Sequence, residues 1–331
     1  MAINTDQFST VLRQRGIDRA TQRVRITDLR GSEQEVDLAQ PPNCDGLGRV
    51  RHFRLATSAA WPANPLPIVP AARSLGVAVP DVLEAQVFQN AVCNWRCWYC
   101  FVDFPLLAGD PKHSRLVSSA ELIDLYLAEE SRAPVIDLSG GQPDLVPEWV
   151  AWMIAELRSR ELATYVWSDD NLSNDYFFTK LTDTERMTLE TDSHYGKVCC
   201  FKGFDADSFG FNTKAAAELF ARQFALMSRL VNETSLDVYA YATFTSPNAT
   251  AISSKMRLFV DRLQEVDSRL PLRTVPLEIS VFAPVAARMD VSHHRALAVQ
   301  QEAIAAWNEE ISSRFSAEER QVAICDVELR G

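Results

Sequence analysis

From Leu83 onward the chain alternates short apolar runs with longer stretches whose apolar positions recur every three or four residues, the pattern of strands separated by amphipathic helices. Strands are predicted over 83–88, 135–138, 164–167, 198–201, 236–242 and 275–282. Helices are predicted over 119–130, 148–160, 175–190, 213–231, 254–267 and 294–314, with Ser119 and Thr213 placed to cap two of them. Strands joined by helical crossovers pair in parallel, and right-handed crossovers bring every strand-to-helix loop to one end of the sheet. Side chains from distant parts of the chain therefore converge there.

The first 80 residues break this rhythm. A short helix is predicted near 4–15 and extended segments around 23–28 and 49–55, after which a Pro-rich connector over 61–70 leads away from them. The expected architecture is α/β: a partial (β/α)6 TIM-like barrel over residues 81–285, an N-terminal extension over 1–80 packed on it, and a C-terminal helix and tail over 286–331. With 331 residues and 47% hydrophobic content the chain can bury such a core. Its net charge of -11 argues against general nucleic-acid binding. No apolar stretch is long enough to cross a bilayer, and the N-terminus lacks the apolar run of a signal peptide, so no membrane partner and a cytoplasmic location are expected.

Three of the seven cysteines fall within eight residues, Cys93-Asn-Trp-Arg-Cys97-Trp-Tyr-Cys100, directly after the first predicted barrel strand. Seven is an odd number and too few for a disulfide scaffold of this length, so clustered thiols indicate metal or redox chemistry. Thiolates are the usual ligands of iron-sulfur clusters, and three of them leave one iron of a four-iron cluster open. A structural zinc would want a fourth Cys or His, and the nearest histidine in sequence is His113. An iron-sulfur electron carrier and a zinc-stabilised binding protein are the non-enzymatic alternatives.

Three more polar clusters follow the next three strands. In Ser139-Gly140-Gly141-Gln142-Pro143, glycines let the backbone approach a ligand and expose carbonyls to an ammonium group. Ser168, Asp169, Asp170 and Asn171 suit a ribose diol or an ammonium, and Lys202 suits a carboxylate. Cys199 and Cys200 point to opposite faces of a strand and read as core residues, with Cys44 and Cys325 packing or unpaired. Tyr239, Tyr241, Glu278 and Arg288 lie on or after the last two strands, where inward-facing members could touch a ligand. His293 and His294 are expected on the surface at the start of the last helix. No catalytic side chain is assigned.

With Tyr99 just before its last cysteine, the Cys-x3-Cys-x2-Cys motif closely resembles the signature of the radical S-adenosylmethionine superfamily. The resemblance implies a [4Fe-4S] cluster held by Cys93, Cys97 and Cys100, with S-adenosylmethionine chelating the open iron through its amino and carboxylate groups. It further implies an external one-electron donor such as flavodoxin or ferredoxin, and cleavage to methionine and a 5'-deoxyadenosyl radical that takes hydrogen from a substrate. Gly140-Gly141-Gln142 resembles the superfamily's Gly-Gly-Glu-Pro segment, which receives the cofactor's amino group, with Gln142 standing in place of Glu. The segment Ser168 to Asn171 and the Cys200-Phe201-Lys202 strand end are similar to segments of glycyl-radical activating enzymes, with Lys202 on the cofactor side. Tyr99 joins the expected cofactor-binding residues and, with Trp95, Trp98 and Phe101, an apolar wall. The expected substrate is a small molecule, and an activating enzyme that places a radical on a partner protein is the alternative.

Overall fold

The computed structural model describes residues 2–59 and 61–329; residues 1, 60, 330 and 331 of the expected N-terminal extension and C-terminal tail lie outside the described residues. In chain order, α1 (Thr5–Gly16), β1 (Ile17–Asp18), β2 (Arg23–Thr27), β3 (Gly48–Arg54) and α2 (Ile68–Leu75) precede β4 (Val82–Gln89). After the cysteine loop come β5 (Ser114–Ser118), α3 (Ser119–Ala128), β6 (Val135–Ser139), α4 (Glu148–Ser159), β7 (Tyr165–Asp170), α5 (Tyr176–Lys180) and α6 (Asp183–Thr191). The remainder comprises β8 (Tyr195–Phe201), α7 (Ala206–Thr213), α8 (Phe220–Glu233), β9 (Val238–Thr243), α9 (Ile252–Val266), β10 (Thr274–Leu277), α10 (Ala283–Ala286) and α11 (Val291–Arg314).

The architecture is mixed α/β. A curled seven-stranded sheet, open at both edges, runs in the order β10-β9-β8-β7-β6-β4-β3 as a half-barrel. Its strands pair in parallel except at the β3 edge, where Arg49 lies opposite Val87 in an antiparallel register. A smaller antiparallel sheet, β1-β2-β5, stands beside it.

Alternation divides the residues of each strand between two faces. On the convex face Ile136, Leu138, Val166, Cys199, Phe201 and Ala240 meet Trp149, Met153, Met227, Phe259 and Trp307 of the surrounding helices. On the concave face Ala85, Val135, Tyr165, Trp167, Val198, Cys200, Tyr239 and Tyr241 meet Leu66, Ile68, Ala71 and Ile324. Cys199 and Cys200 thus enter different cores, as expected for neighbours on one strand. The Pro-rich segment closes the lower end of the concave face. Trp61 Nε1 donates to the Pro276 carbonyl at 2.9 Å and the Tyr241 hydroxyl to the Leu66 carbonyl at 3.1 Å.

Several expected boundaries move for local reasons. β7 continues through Asp170, so Ser168, Asp169 and Asp170 belong to the strand and alternate between its faces. The helix expected over 213–231 begins only at Phe220, as α8, and a separate helix, α7, ends at Thr213 where Lys214 takes a left-handed conformation (φ 60°). Thr213 is therefore the end of a helix and not a cap; the N-cap of α7 is Asp205, whose carboxylate accepts from Ser208 N. The N-cap of α3 is Ser118, not Ser119, in a reciprocal capping box with Glu121. The stretch 175–190 divides at Thr182, which caps α6. The last strand stops at Leu277 and not at 282, and α11 begins at Val291 under an Asp290 cap.

Candidate functional site

β4 ends at Gln89, and the chain then crosses the C-terminal ends of the parallel strands carrying the three clustered cysteines. Its backbone is held from several directions. Cys93 N donates to Leu107 O, Arg96 N to Thr213 O, Trp98 N to Asn212 O and Cys100 N to Cys97 O, at 3.0–3.2 Å. Arg288 donates to the carbonyls of Cys100 and Val102 at 3.0 and 3.1 Å. From α1, Thr5 accepts from the Trp95 indole and Ser9 accepts from Asn94 Nδ2. The indole of Trp98 donates to Asn212 Oδ1.

Cys93 is buried and Cys97 and Cys100 are half-buried; Cys93 and Cys100 pack with Val102, Leu106 and Leu107, and Cys97 with the cluster of Trp98 and Tyr99. Burial pushes all three thiols up, Cys97 to about 12; they also act on one another electrostatically, while Lys202 works in the opposite sense. Thiols of this kind become ligands only when a cation replaces their protons. Among the described residues no three His, Cys, Asp or Glu side chains are gathered for a single metal ion. A tetrahedral zinc would need its sulfurs about 4 Å apart. In a four-iron cluster each cysteine serves a different iron, so three cysteines of one buried loop suit that group by the chemistry of their thiolates.

The Gly140-Gly141 turn, which follows β6, is pressed against this loop. Both glycines have positive φ (73° and 91°), and a Cβ on Gly141 would lie 2.3 Å from Asn90 O and 2.6 Å from Val92 O. Gln142 N donates to Val92 O at 2.7 Å. The Gln142 amide is committed at both ends, donating to Asp170 Oδ1 at 2.8 Å and accepting from Asn171 N at 2.9 Å. Asn171 Nδ2 continues to Asn94 Oδ1 at 3.0 Å, next to Cys93. Below this chain of contacts, Lys197 Nζ donates to Asp144 Oδ1 at 2.6 Å in a fully enclosed ion pair. The turn, the end of β7 and the cysteine loop are thus one hydrogen-bonded unit.

No family model and no curated protein matches the chain. Solved structures that resemble it include SuiB of Streptococcus suis bound to the precursor peptide SuiA, with 13% identity and a TM-score of 0.39 over 54% of this chain and 36% of that one. SuiB bound to S-adenosylmethionine matches with 14% identity and a TM-score of 0.39, over 54% of this chain and 37% of that one. A further SuiB structure matches with 14% identity and a TM-score of 0.38, over 54% and 36%. The chain spans little more than a third of the length of these SuiB chains. At such values its activity has to be argued from its own residues.

Of the expected cofactor-binding residues, Tyr99, Asp169 and Lys202 gather beside the cysteines. Tyr99 is buried with its hydroxyl 3.1 Å from Thr243 Oγ1. Lys202 follows β8, where Cys200, Tyr99, Cys97 and Asp169 outweigh the effect of burial and hold its ammonium well above its ordinary value. Asp169 points to the concave face without a hydrogen bond or ion pair among the described residues, and burial, then Asp137, raise its carboxyl to about 7. Ser168 lies on the opposite face, fully buried, 2.8 Å from the Tyr195 hydroxyl, so the loose match to glycyl-radical activating enzymes loses its hydroxyl. The Gln142 side chain is engaged with the Asp170 carboxylate and the Asn171 backbone N–H, and the Asn171 side chain donates to Asn94 while its Oδ1 has no partner. Among the later candidates, Tyr239 donates to Asp237, Glu278 accepts from Ser58, and Arg288 holds the cysteine loop. His293 does not lie free on the surface: its ring packs 4.8 Å from that of Trp98 and 5.3 Å from that of Phe211. Arg49 and Arg51, both on the concave face, were missed; their i, i+2 spacing in a predicted extended segment was the available signal.

Proposed function

We propose that this chain is a radical S-adenosylmethionine enzyme. What supports the reading is that Cys93, Cys97 and Cys100 lie in one largely buried loop that follows the C-terminal end of β4, with Lys202 acting on all three. When bound there, a [4Fe-4S] cluster with S-adenosylmethionine on its open iron supplies a 5'-deoxyadenosyl radical. The protein's part is to hold, orient and shield. The three cysteines hold the cluster as thiolates, while Val102, Leu106 and Leu107 keep water from it. The carbonyls of Gly140 and Gly141 accept no hydrogen bond among the described residues and are free for the cofactor's ammonium. Gln142, locked between Asp170 and Asn171, orients the turn and leaves that contact to the backbone. Lys202 meets a carboxylate, and Asp169 accepts from a hydroxyl or ammonium on the concave side.

In this reading residues 81–285 carry the cofactors and residues 1–80 and 286–331 pack around them. A small-molecule substrate, a one-electron donor such as flavodoxin or ferredoxin, and a cytoplasmic location belong to the same reading. Anaerobic reconstitution with iron and sulfide, reduction, and addition of S-adenosylmethionine should release 5'-deoxyadenosine and methionine. The Cys97→Ala variant should retain much less iron and release neither. An intact cluster with no 5'-deoxyadenosine would sink the proposal, and so would full iron loading of Cys97→Ala.

A further inference from the structure

Arg49 presents a guanidinium with nothing to bind. The residue is 7% exposed, and its side chain forms no hydrogen bond or ion pair among the described residues; its Nε is buried without a partner. Its one directed contact is with the ring of Phe101, whose centroid lies 5.2 Å away, immediately after the last clustered cysteine. A buried guanidinium without an acceptor is strongly unfavourable, and five donors in a fixed fork are suited to a carboxylate. Burial, and then Arg51, depress its basicity to about 10, with Asp137 and Asp169 working the other way.

The surroundings describe a built site. β3 pairs with β4 so that Arg49 faces Val87, and Val87 faces Asp137 on β6, which places Arg49 and Asp137 on the concave face about 10 Å apart across β4. Two residues further along β4, Gln89 is fully buried with Nε2 unpartnered, and Asp137 Oδ1 is unpartnered as well. Arg51 reaches Asp137 Oδ2 at 3.3 Å, so that carboxylate already has a cation; Asp137 and Asp169 act on Arg49 electrostatically, but neither forms an ion pair with it. Two strands therefore carry unused buried donors, and a third an unused acceptor, on the same face of the sheet at its β3 side.

We infer that Arg49 and Gln89 bind a carboxylate of the substrate, so that the molecule acted on is a carboxylic acid entering the concave face with its anionic end against β3. This rests on the reading under Proposed function for the word substrate, but not for the existence of the anion site. Lys202, on the far side of the cysteine loop from β3 in the strand order, is left for the cofactor's own carboxylate.

The test uses the full-length chain, iron-free and reconstituted, with chloride replaced by acetate or by inorganic phosphate at constant ionic strength. Acetate should raise the melting temperature of both forms, with an affinity at least about tenfold weaker in Arg49→Gln. Arg49→Met should melt higher than wild type in anion-poor buffer, because an unpaired buried charge is gone, and should not respond to acetate. Absence of an Arg49-dependent response to either anion overturns the inference, as does a stronger Arg49-dependent response to phosphate, which would point to a phosphate ester. If S-adenosylmethionine alone elicits the Arg49-dependent shift and acetate competes with it, the site belongs to the cofactor and the assignment to substrate is wrong. Should the reconstituted chain release no 5'-deoxyadenosine, the iron-free measurements still decide whether the anion site exists.

Discussion

Gln142 has to be an amide. Its NH2 group donates to Asp170 Oδ1 and its oxygen accepts from Asn171 N, a pair of roles that a carboxylate cannot fill. Gln142→Glu removes the donor and sets a negative charge against Asp170, which should cost about 1–3 kcal/mol at pH 7. A carboxyl facing a like charge has a raised folded pKa, so the deficit should shrink as pH falls and the new Glu protonates. Urea midpoints that match wild type at both pH 5 and pH 8 would show that the amide is dispensable. Asp169 carries a pH signature of its own, since its carboxyl is raised to about 7 by burial and by Asp137. The folded chain then holds a proton that the unfolded chain releases near 3.9, so stability falls as pH rises from about 4 through about 7. Asp169→Asn should flatten that part of the profile, and an unchanged slope would remove Asp169 from the account. The sequence showed a hydroxyl, two carboxylates and an amide at one strand end. Which of them faces the interior depends on where β7 stops, and that is set by pairing with β8, where Asp169 meets Val198 and Asp170 meets Cys199.

At the scale of elements, the cysteine loop and the turn after β6 depend on each other. Gly141→Ala would force a Cβ to within 2.3 Å of Asn90 O at a φ of 91°, so the turn would have to move off the loop. The expected result is a loss of about 2 kcal/mol or more together with lower iron content after reconstitution. Normal iron loading in a stable Gly141→Ala chain would show that the loop holds its shape without the turn. The strand alternation was legible because each parallel strand is an apolar run between amphipathic helices. Helix α7 was not, because Ala206–Thr213 contains Asp, Ser, Gly, Asn and Thr, residues of low helix propensity, and forms a helix under the Asp205 cap. The capping box at Ser118 lies one residue before the expected cap, because adjacent polar residues at a helix start fit several registers until packing selects one.

Over the whole molecule, the segment preceding the sheet supports the site. α1 supplies Thr5 to Trp95 and Ser9 to Asn94, while residues 61–75 close the lower end of the half-barrel. Deleting residues 1–16 should leave the main sheet folded, with native-like far-UV circular dichroism, yet reduce cluster retention during desalting several-fold. Retention equal to that of the full chain would limit α1 to a packing role. By itself the sequence determined the periodicity of strands and helices and the spacing of Cys93, Cys97 and Cys100, because both are local properties of the chain. Only the tertiary structure decided that Gln142 braces the site, that Ser168 faces the helices, and that Arg49 comes to the cysteine loop. Each of these depends on registers and contacts between residues tens of positions apart, and such pairing is selected by the packing of the whole sheet.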